Sequence, residues 1–310
     1  MTDYEIISFT GRPVAPAVAT VGFFDGVHLG HQYLLRQVQA EARRLGAAAL
    51  AVTFAEHPRQ VLSADYRPAL LTTLPEKLEL LRECGVDACA VLHFSKTMAA
   101  LTSAQFMARY LRDAFGVRSL VVGYDHHFGS DTGATPADYQ AEGRALGIDV
   151  VPATAFRTEE FTVSSSTVRR LLEGGNVERA RQCLGRPYVL GGTVVEGRHV
   201  GRDLGFPTAN LRPSHPDKLV PGRGVYAIEA TVGGRTYGAM LNIGWRPTLD
   251  DGRGPTIEAH LFDFDGNLYG RELSLRFLHR LRDEQRFASL AELQAQLRAD
   301  AVRCRQLLTP

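Results

Sequence analysis

The sequence has little of what marks several classes of protein. Only four cysteines occur among its 310 residues, and no two of them have Cys-x-x-Cys spacing. We therefore expect reduced structural thiols, not zinc ligands or a disulfide framework. The longest apolar run, residues 47–52, is far too short to span a bilayer, and the first residues lack a basic segment followed by an apolar core. These absences predict a cytoplasmic protein.

An excess of one charge and the common phosphate-binding motifs are also missing. The 35 basic and 34 acidic residues leave a formal net charge of +1, so neither nucleic acid nor a membrane is expected as a partner. The chain has no Walker motif (Gly-x4-Gly-Lys-Ser/Thr) and no Gly-x-Gly-x-x-Gly after a predicted strand. Any ATP chemistry must therefore use another phosphate cradle.

Two histidines lie where a predicted strand gives way to a helix. Residues 17–24 form an apolar run typical of a buried strand, Asp25-Gly26 is a turn signal, and a helical pattern follows from His31. A helix N-terminus offers free N–H groups and the positive end of the dipole, so His28 and His31 are predicted to flank a polyphosphate site. Two histidines near a turn could also be surface residues, but the combination with strand, turn and helix favours the site.

This stretch resembles a known signature. His28-Leu29-Gly30-His31 is similar to the His-x-Gly-His motif of the nucleotidyltransferase superfamily, and residues 22–31 resemble its version in the bacterial bifunctional riboflavin kinase/FMN adenylyltransferase (FAD synthetase) family. The resemblance implies that His28 and His31 are catalytic. It also implies that Gly22, Phe23 and Asp25 bind ATP.

Strands and helices alternate through the first half of the chain. Strands are predicted at 49–54, 88–94, 118–124 and 148–151, and helices at 73–85, 103–115 (capped by Ser103) and 136–146. Such alternation predicts a parallel sheet, which binds ligands beyond the carboxyl ends of its strands. His57, which follows the second strand, is there either a structural loop residue or a site residue.

A histidine-containing loop follows the strand at 118–124. Residues 123–129 are similar to the family's flavin-side loop, Gly-x-Asp-Phe-Arg-Phe-Gly, which implies that Asp125 and Phe128, together with His57, bind flavin. The family usually has arginine where His127 stands and a second basic residue near Thr132. Because a neutral imidazole is a poorer phosphate partner than arginine, a weakened adenylyltransferase is the alternative hypothesis.

A serine-rich segment, residues 163–169, opens another predicted helix. Its serines could simply cap the helix. The segment also resembles the superfamily's Ile-Ser-Ser-Thr-x-Ile-Arg motif, which implies that Ser164, Ser165 and Arg169 bind the pyrophosphate. Asn176 is predicted to cap the last helix of this half, and a domain break is expected near residue 186.

The second half changes to short alternating runs. They lie at 189–196, 225–232, 235–243, 257–264 and 273–281, with hairpin signals at Gly233-Gly234 and Asp265-Gly266. This pattern predicts an antiparallel sheet or small barrel. A terminal helix is expected to pack on it through Leu290, Leu293, Leu297, Ala301, Cys304 and Leu308.

A glycine-rich stretch, residues 197–211, is predicted to be a loop between strands. It resembles the riboflavin kinase signature Gly-Arg-x-Leu-Gly-Phe-Pro-Thr-Ala-Asn-Leu. The resemblance implies ATP binding by Gly201, Arg202 and Gly205. The side-chain oxygens of Thr208 and Asn210 are suited to Mg²⁺ bound to ATP. Glu258 is the general base that the resemblance implies, although a glutamate in an alternating strand is otherwise solvent-facing.

The sequence therefore predicts an α/β protein of two domains. Residues 1–186 would form a Rossmann-like nucleotidyltransferase parallel sheet, and residues 187–310 a small antiparallel β-barrel with a terminal helix. The resemblance implies that the second domain phosphorylates riboflavin with ATP and Mg²⁺ and that the first converts FMN to FAD with release of pyrophosphate. Flavin-accepting apoproteins are further candidate partners. The rival hypotheses are a kinase with a weak adenylyltransferase half and a flavin-binding regulatory protein without turnover.

Overall fold

The computed structural model describes residues 2–63, 65–123, 128–131, 135–156, 162–197, 205–245 and 255–309. Its contacts divide the chain into two compact units, Met1–Ser164 and Ser165–Pro310. The predicted residues Asp125, His127, Thr132, Gly201 and Arg202 lie outside the described ranges.

The first unit is built on a six-stranded sheet. Its strands are β1 (Tyr4–Ser8), β2 (Ala17–Val21), β3 (Ala48–Phe54), β4 (Ala88–Leu92), β5 (Val117–Val122) and β6 (Asp149–Pro152). Their order is β1-β4-β3-β2-β5-β6. All neighbours are parallel except β1, which pairs antiparallel with β4. The predicted parallel sheet is confirmed, and β1 is an additional edge strand that the sequence pattern did not indicate.

Helices connect these strands and cover the apolar residues of the sheet. They are α1 (Leu29–Leu45), α2 (Pro58–Leu62), α3 (Leu74–Glu83), α4 (Lys96–Ala99), α5 (Ser103–Phe106), which continues as a π-helical segment (Met107–Ala114), and α6 (Pro136–Leu146). Alternate residues of β2 enter two separate core clusters, Ala17, Ala19 and Val21 in one and Val18 in the other. The sheet is therefore buried on both faces, as a parallel sheet requires.

Ser103 does not cap α5, contrary to the prediction. Thr102 is the N-cap and forms a capping box with Gln105. The Ser103 hydroxyl instead lies 2.6 Å from carboxylate oxygens of both Asp131 and Glu142. The two neighbouring hydroxyl residues are equivalent as sequence signals, and these long-range carboxylates decide which of them caps the helix.

The second unit contains two short helices, a closed barrel and a terminal helix. The helices are α7 (Ser165–Glu173), α8 (Val177–Leu184) and α9 (Leu290–Leu308), and the strands are β7 (Tyr188–Val195), β8 (Ala209–Pro213), β9 (Gly224–Val232), β10 (Arg235–Trp245), β11 (Pro255–Leu261) and β12 (Glu272–Arg282). The barrel order is β10-β11-β8-β7-β12-β9, and every pair is antiparallel. The predicted barrel is confirmed. Because β8 occupies residues 209–213, the end of the glycine-rich stretch is a strand and not a loop.

Helix α9 packs on the barrel through part of its predicted apolar stripe. Leu297, Ala301, Cys304 and Leu308 contact the cluster that contains Val225, Ala227 and Met240. Leu290 does not take part: at the start of the helix it is 67% exposed. Asp300 is buried, although the apolar pattern of the helix did not indicate it. Its carboxylate accepts three hydrogen bonds from Arg282, the shortest of 2.7 Å, and one from Gln296.

Removing this carboxylate is expected to destabilise the second unit. Asp300→Ala leaves the Arg282 guanidinium, only 17% exposed, without its partner, and we expect a loss of about 3 kcal/mol in the free energy of unfolding. The midpoint of urea denaturation, followed by far-UV circular dichroism, measures this loss.

The matched control is Asp263→Asn, because the Asp263–Arg305 pair is largely exposed and screened by water, and asparagine tolerates the positive φ of 56° at this position. It should leave the denaturation midpoint unchanged. Equal midpoints for the wild type and Asp300→Ala would contradict the assigned role of the buried pair.

Candidate active sites

The segment between β2 and α1 has a constrained backbone. Phe24 and Val27 adopt positive φ angles of 54° and 37°, which are costly for residues with side chains. The Phe24 ring is buried and lies against Gly22, where an added Cβ would come within 2.9 Å of the ring. Gly22 is thus required by close packing, and the segment is held in an uncommon conformation.

Asp25 holds this segment in place from the other side. Its carboxylate is 2% exposed and accepts hydrogen bonds from the backbone N–H groups of Leu71 and Thr72 at 2.9–3.1 Å. The Thr72 hydroxyl donates to the same carboxylate and accepts from the Gly26 N–H. The predicted ATP-binding residue therefore also links the segment to the residues that precede α3.

The two histidines of the motif form one unit. His28 is the N-cap of α1, and its Nδ1 accepts from the His31 backbone N–H at 3.3 Å. The two rings stack with centroids 3.7 Å apart and planes inclined by 17°. Because Nδ1 is the acceptor, a neutral His28 ring carries its proton on Nε2, which makes that nitrogen a donor. The sequence placed both histidines at a helix start, and the structure agrees.

The absence of a side chain at Gly30 leaves space for the His28 ring. A Cβ at Gly30 would lie 3.1–3.2 Å from the His28 ring. We expect Gly30→Ala to displace the ring by a few tenths of an ångström and to slow the chemistry at this site about tenfold. The melting temperature should not fall, because alanine is the better helix former. The steady-state rate of the reaction at this site, measured beside a thermal melt, checks this, and an unchanged rate would contradict it.

His57 and Phe23 form the rim beside the histidines. His57 caps α2, where its Nδ1 accepts from the Arg59 N–H at 3.2 Å, and its ring meets that of Phe23 edge-on at 4.7 Å. Phe23 follows the carboxyl end of β2, and His57 follows the carboxyl end of β3. His57 therefore has a capping role, and its ring also forms part of the surface at the ends of β2 and β3.

Lys77 is a residue of this region that sequence reasoning missed. It belongs to α3, is 2% exposed, and donates through Nζ to the carbonyl oxygens of Phe23 and Phe54. Burial lowers the pKa of its ammonium to about 8. Within a helical pattern a lysine is normally interpreted as a solvent-facing residue, and no local signal indicated otherwise.

Of the predicted flavin loop, the structure describes the end that follows Asp125. Phe128 stacks on Tyr139 with ring centroids 4.7 Å apart, and the Tyr139 hydroxyl bonds to both backbone groups of Phe128. The Phe128 ring also packs against the core of the first unit. These contacts anchor the end of the loop.

The serine-rich segment opens a helix, as expected. Ser165 is the first residue of α7, and Arg169 lies one turn further on. Ser164 is the last residue of the first compact unit, and Ser165 is the first residue of the second. All three residues, Ser164, Ser165 and Arg169, are half-buried.

In the barrel, three polar residues form a row across neighbouring strands. Glu258 of β11 lies opposite Asn210 of β8 and Asn242 of β10. Residues directly opposite each other in antiparallel strands share a face, and buried Ile257 and Ala259 alternate with Glu258 along β11. Glu258 is therefore not an isolated solvent-facing residue but the centre of a polar row.

A cavity of about 310 Å³ lies over this row. Leu293 and Leu297 of α9 form part of its wall, together with Phe206 and Phe287. The polar residues that line it are Thr208, Asn242, Glu258, His260, Arg282, Glu284 and Gln285. An apolar cavity with a few convergent polar groups and this volume suits a small organic ligand. Arg282 ends β12 and Glu284 lies two residues beyond it. The sequence indicated neither residue, because β12 pairs with β7 and β9 and only the closed barrel brings its end to the same cavity as Glu258 of β11.

A second cavity, of about 330 Å³, shares Thr208 with the first. Pro207, Ala259, Phe264 and Tyr269 are among its lining residues. The Pro207 carbonyl oxygen lies 2.8 Å from His260 Nδ1, which fixes the residues just before Thr208. Thr208 is therefore a lining residue of both cavities.

The oxygen ligands proposed for Mg²⁺ fit that ion in chemical type. Thr208 immediately precedes β8 and Asn210 is the second residue of that strand, so the two oxygen-bearing side chains are two residues apart in the chain. The Asn210 amide packs where Gly197 leaves room, since a Cβ at Gly197 would collide with it. Among the described residues no group of three or more histidine, cysteine, aspartate or glutamate side chains could hold a metal. A Mg²⁺ here would thus depend on neutral oxygens, water and substrate phosphates.

The two units define a protein with two sites for phosphate chemistry: a parallel sheet with paired histidines at a helix start, and a barrel with a carboxylate in an apolar cavity. A family model described as FAD synthetase matches residues 12–167, and one described as riboflavin kinase matches residues 184–308. The chain belongs to the bifunctional riboflavin kinase/FMN adenylyltransferase family.

Curated relatives of that name support the assignment. The chain is 37% identical to the Escherichia coli (strain K12) protein over 97% of this chain and 96% of the relative. It is 35% identical to the Bacillus subtilis (strain 168) protein over 92% and 90% of the two chains. The resemblance to this family, inferred from the motifs, is confirmed.

One solved structure is similar over nearly the whole length. It is described as a macrolide-efflux protein from Streptococcus pneumoniae, is 33% identical, covers 96% of this chain and 95% of its own, and superposes with a TM-score of 0.86. In the present chain, none of the described helices is both long and apolar enough to cross a membrane.

Proposed function

We propose that this chain makes both flavin cofactors in sequence. Residues 187–310 would transfer the γ-phosphoryl group of ATP to riboflavin and release FMN and ADP. Residues 1–186 would then join FMN to the AMP part of a second ATP and release pyrophosphate. The observation that carries the proposal is that one chain contains both the His28–His31 pair at a helix start and the Glu258 cavity of the barrel. The separate family matches, which end at 167 and begin at 184, support the two domains.

In the barrel, Glu258 is proposed to act as general base. Glu258 lines the cavity of about 310 Å³, so a riboflavin ring between Phe206, Phe287 and Leu297 would bring the ribityl 5′-hydroxyl toward its carboxylate. The carboxylate takes the hydroxyl proton as the oxygen attacks the γ-phosphorus of ATP and ADP leaves.

The second cavity, which shares Thr208, is proposed for ATP. Gly201, Arg202 and Gly205 are proposed to bind the same nucleotide, as the resemblance implies. Thr208 and Asn210 would hold Mg²⁺ on the nucleotide. When bound there, Mg²⁺ neutralises phosphate charge and orients the γ-phosphoryl group.

In the first domain, no protein nucleophile is required. A phosphate oxygen of FMN attacks the α-phosphorus of ATP, and pyrophosphate leaves. His28 donates from Nε2 and His31 lies stacked beside it, so both are proposed to stabilise the charge that develops on the transferred phosphate. Ser164, Ser165 and Arg169 are proposed to bind the leaving pyrophosphate through hydroxyl and guanidinium donors.

The remaining predicted residues are proposed to shape the substrate pockets. Gly22, Phe23 and Asp25 would present backbone groups to ATP, and the Asp25 contacts to Leu71 and Thr72 support a role in fixing that geometry. His57, Asp125 and Phe128 would contact the flavin side.

We also propose that the protein works in the cytoplasm. The four cysteines are free thiols, three of them buried, which suits a reducing compartment.

Chromatographic separation of flavins after incubation with riboflavin, ATP and Mg²⁺ tests the function. FMN followed by FAD is the expected result. Accumulation of FMN alone would mean that His127 and Thr132, in place of the usual basic residues, have weakened the adenylyltransferase. Release of no ADP at all would favour a flavin-binding regulatory protein.

A further inference from the structure

A buried lysine joins the carboxyl ends of two central strands. Lys77 Nζ donates to the carbonyl oxygen of Phe54 at 2.9 Å and to that of Phe23 at 3.1 Å. Phe54 is the last residue of β3, and Phe23 lies two residues after β2 ends. The ammonium therefore bridges neighbouring strand ends at the edge of the sheet where ligands bind.

The same ammonium also contacts the side chain of Phe23. Nζ lies 4.2 Å from the centroid of the Phe23 ring, a cation–π distance, and that ring meets His57 edge-on. The Phe23 carbonyl receives a further hydrogen bond from the Thr53 hydroxyl at 3.1 Å. Both the backbone and the ring of Phe23, one residue of the nucleotide motif, are therefore fixed by α3 and β3.

Packing alone does not explain a cation in this place. The Lys77 side chain is nearly completely buried, and desolvation of a charge is costly. Three groups face it: Asp25 from the segment before α1, Glu56 after β3 and Cys89 of β4. Burial raises the pKa of the Cys89 thiol to about 12, so this thiol stays neutral. A methionine would fill similar space without the cost of the charge, so the ammonium requires a role that apolar volume does not supply.

We propose that Lys77 is a positioning residue of the adenylyltransferase reaction, which holds the Phe23 carbonyl and ring so that residues 22–28 meet ATP in one fixed geometry. The inference rests on the proposed FMN adenylyltransferase activity. Groups that are held in place before the substrate arrives lose little conformational freedom when it binds. If Lys77 no longer holds residues 22–28, we therefore expect the loss to appear first in the affinity for the nucleotide.

Lys77→Met tests the proposal by steady-state kinetics of FAD formation from supplied FMN. We expect KM for ATP to rise tenfold or more, with a smaller fall in kcat. Lys96→Met is the matched control, because Lys96 is an exposed lysine of α4, and it should leave both constants unchanged. The riboflavin kinase activity of Lys77→Met should equal that of the wild type.

The pH profile gives a second readout. The Lys77 ammonium, with a pKa of about 8, loses its proton as pH rises through that value, and its hydrogen bonds to the two carbonyl oxygens lose their charge assistance. KM for ATP in the wild type should therefore rise between pH 7 and 9.5. The rise should be absent in Lys77→Met, whose KM is high throughout.

The outcomes separate the alternatives. A lower kcat with unchanged KM would mean that Lys77 only keeps the unit folded, and it would overturn the proposal. Where Lys77→Met does not fold, as measured by circular dichroism, Lys77→Gln takes its place, and an unchanged KM for ATP in that folded variant would overturn the proposal equally. Absence of FAD formation by the wild type would instead refute the proposed function.

Discussion

Replacement of His28 by alanine is expected to abolish FAD formation and to leave FMN formation intact. The His28 ring supplies an Nε2 donor at the N-terminus of α1, where we propose that charge develops on the transferred phosphate. Loss of one such preorganised donor typically costs a factor of about 10²–10³ in kcat. The measurement is the rate of FAD formation from supplied FMN, beside the rate of FMN formation from riboflavin, on the same preparation.

A second variant separates chemistry from folding. His28 also caps α1, and alanine removes that cap. His28→Asn retains a capping oxygen but lacks the imidazole donor at the same position. We expect it to melt at a higher temperature than His28→Ala and to be equally inactive in FAD formation. Loss of both activities in a folded His28→Asn protein would refute the model of two separate sites.

Glu258→Gln should have the opposite effect. The amide retains the shape of the side chain but cannot accept the proton of the riboflavin hydroxyl, and general-base catalysis contributes a factor of about 10²–10⁴. FMN formation should fall by that factor. Conversion of supplied FMN to FAD should continue at the rate of the wild type, as measured by the same chromatographic assay.

Glu284 offers a matched control in the same cavity. It is a second carboxylate among the lining residues but is not a member of the Asn210–Glu258–Asn242 row. Glu284→Gln should change FMN formation far less than Glu258→Gln. Equal losses in the two variants would show that the reaction needs the charge of the cavity and not a particular base.

His28→Ala and Glu258→Gln, each of which should lack one of the two activities, are also expected to complement each other. An equimolar mixture of His28→Ala and Glu258→Gln should convert riboflavin to FAD, because one supplies FMN and the other consumes it. The rate of the mixture relative to the wild type measures how much FMN passes through solution. No conversion by the mixture would contradict the assignment of one reaction to each residue.

Where sequence predictions failed, the cause lies in contacts distant along the chain. Ser103 was expected to cap α5, but its hydroxyl lies beside Asp131 and Glu142, so Thr102 caps instead. Leu290 fits the apolar period of α9 and yet is exposed, whereas Asp300, which breaks that period, is buried by Arg282. Each error concerned a residue whose environment depends on another element.

Strand β8 illustrates the same limit for a whole element. Residues 209–213 begin inside the glycine-rich stretch of residues 197–211 and have little strand pattern of their own. They form a strand because β7 and β11 provide hydrogen-bond partners on both sides. Strand β1 likewise depends on β4. Strand pairing supplies partners that a short segment does not have alone.

By itself, the sequence determined the kinds of element and the place of the His28–His31 pair. Alternation, helical period and capping residues act within a few residues, so they can be recognised in the chain before it folds. The tertiary structure alone decided which groups meet: Asp25 with Leu71 and Thr72, 46 and 47 residues away, Lys77 with Phe23, and Glu258 with its asparagine neighbours. Those contacts depend on strand order and helix packing, and a buried lysine or a polar row has no local sequence signal because its partners come from other elements.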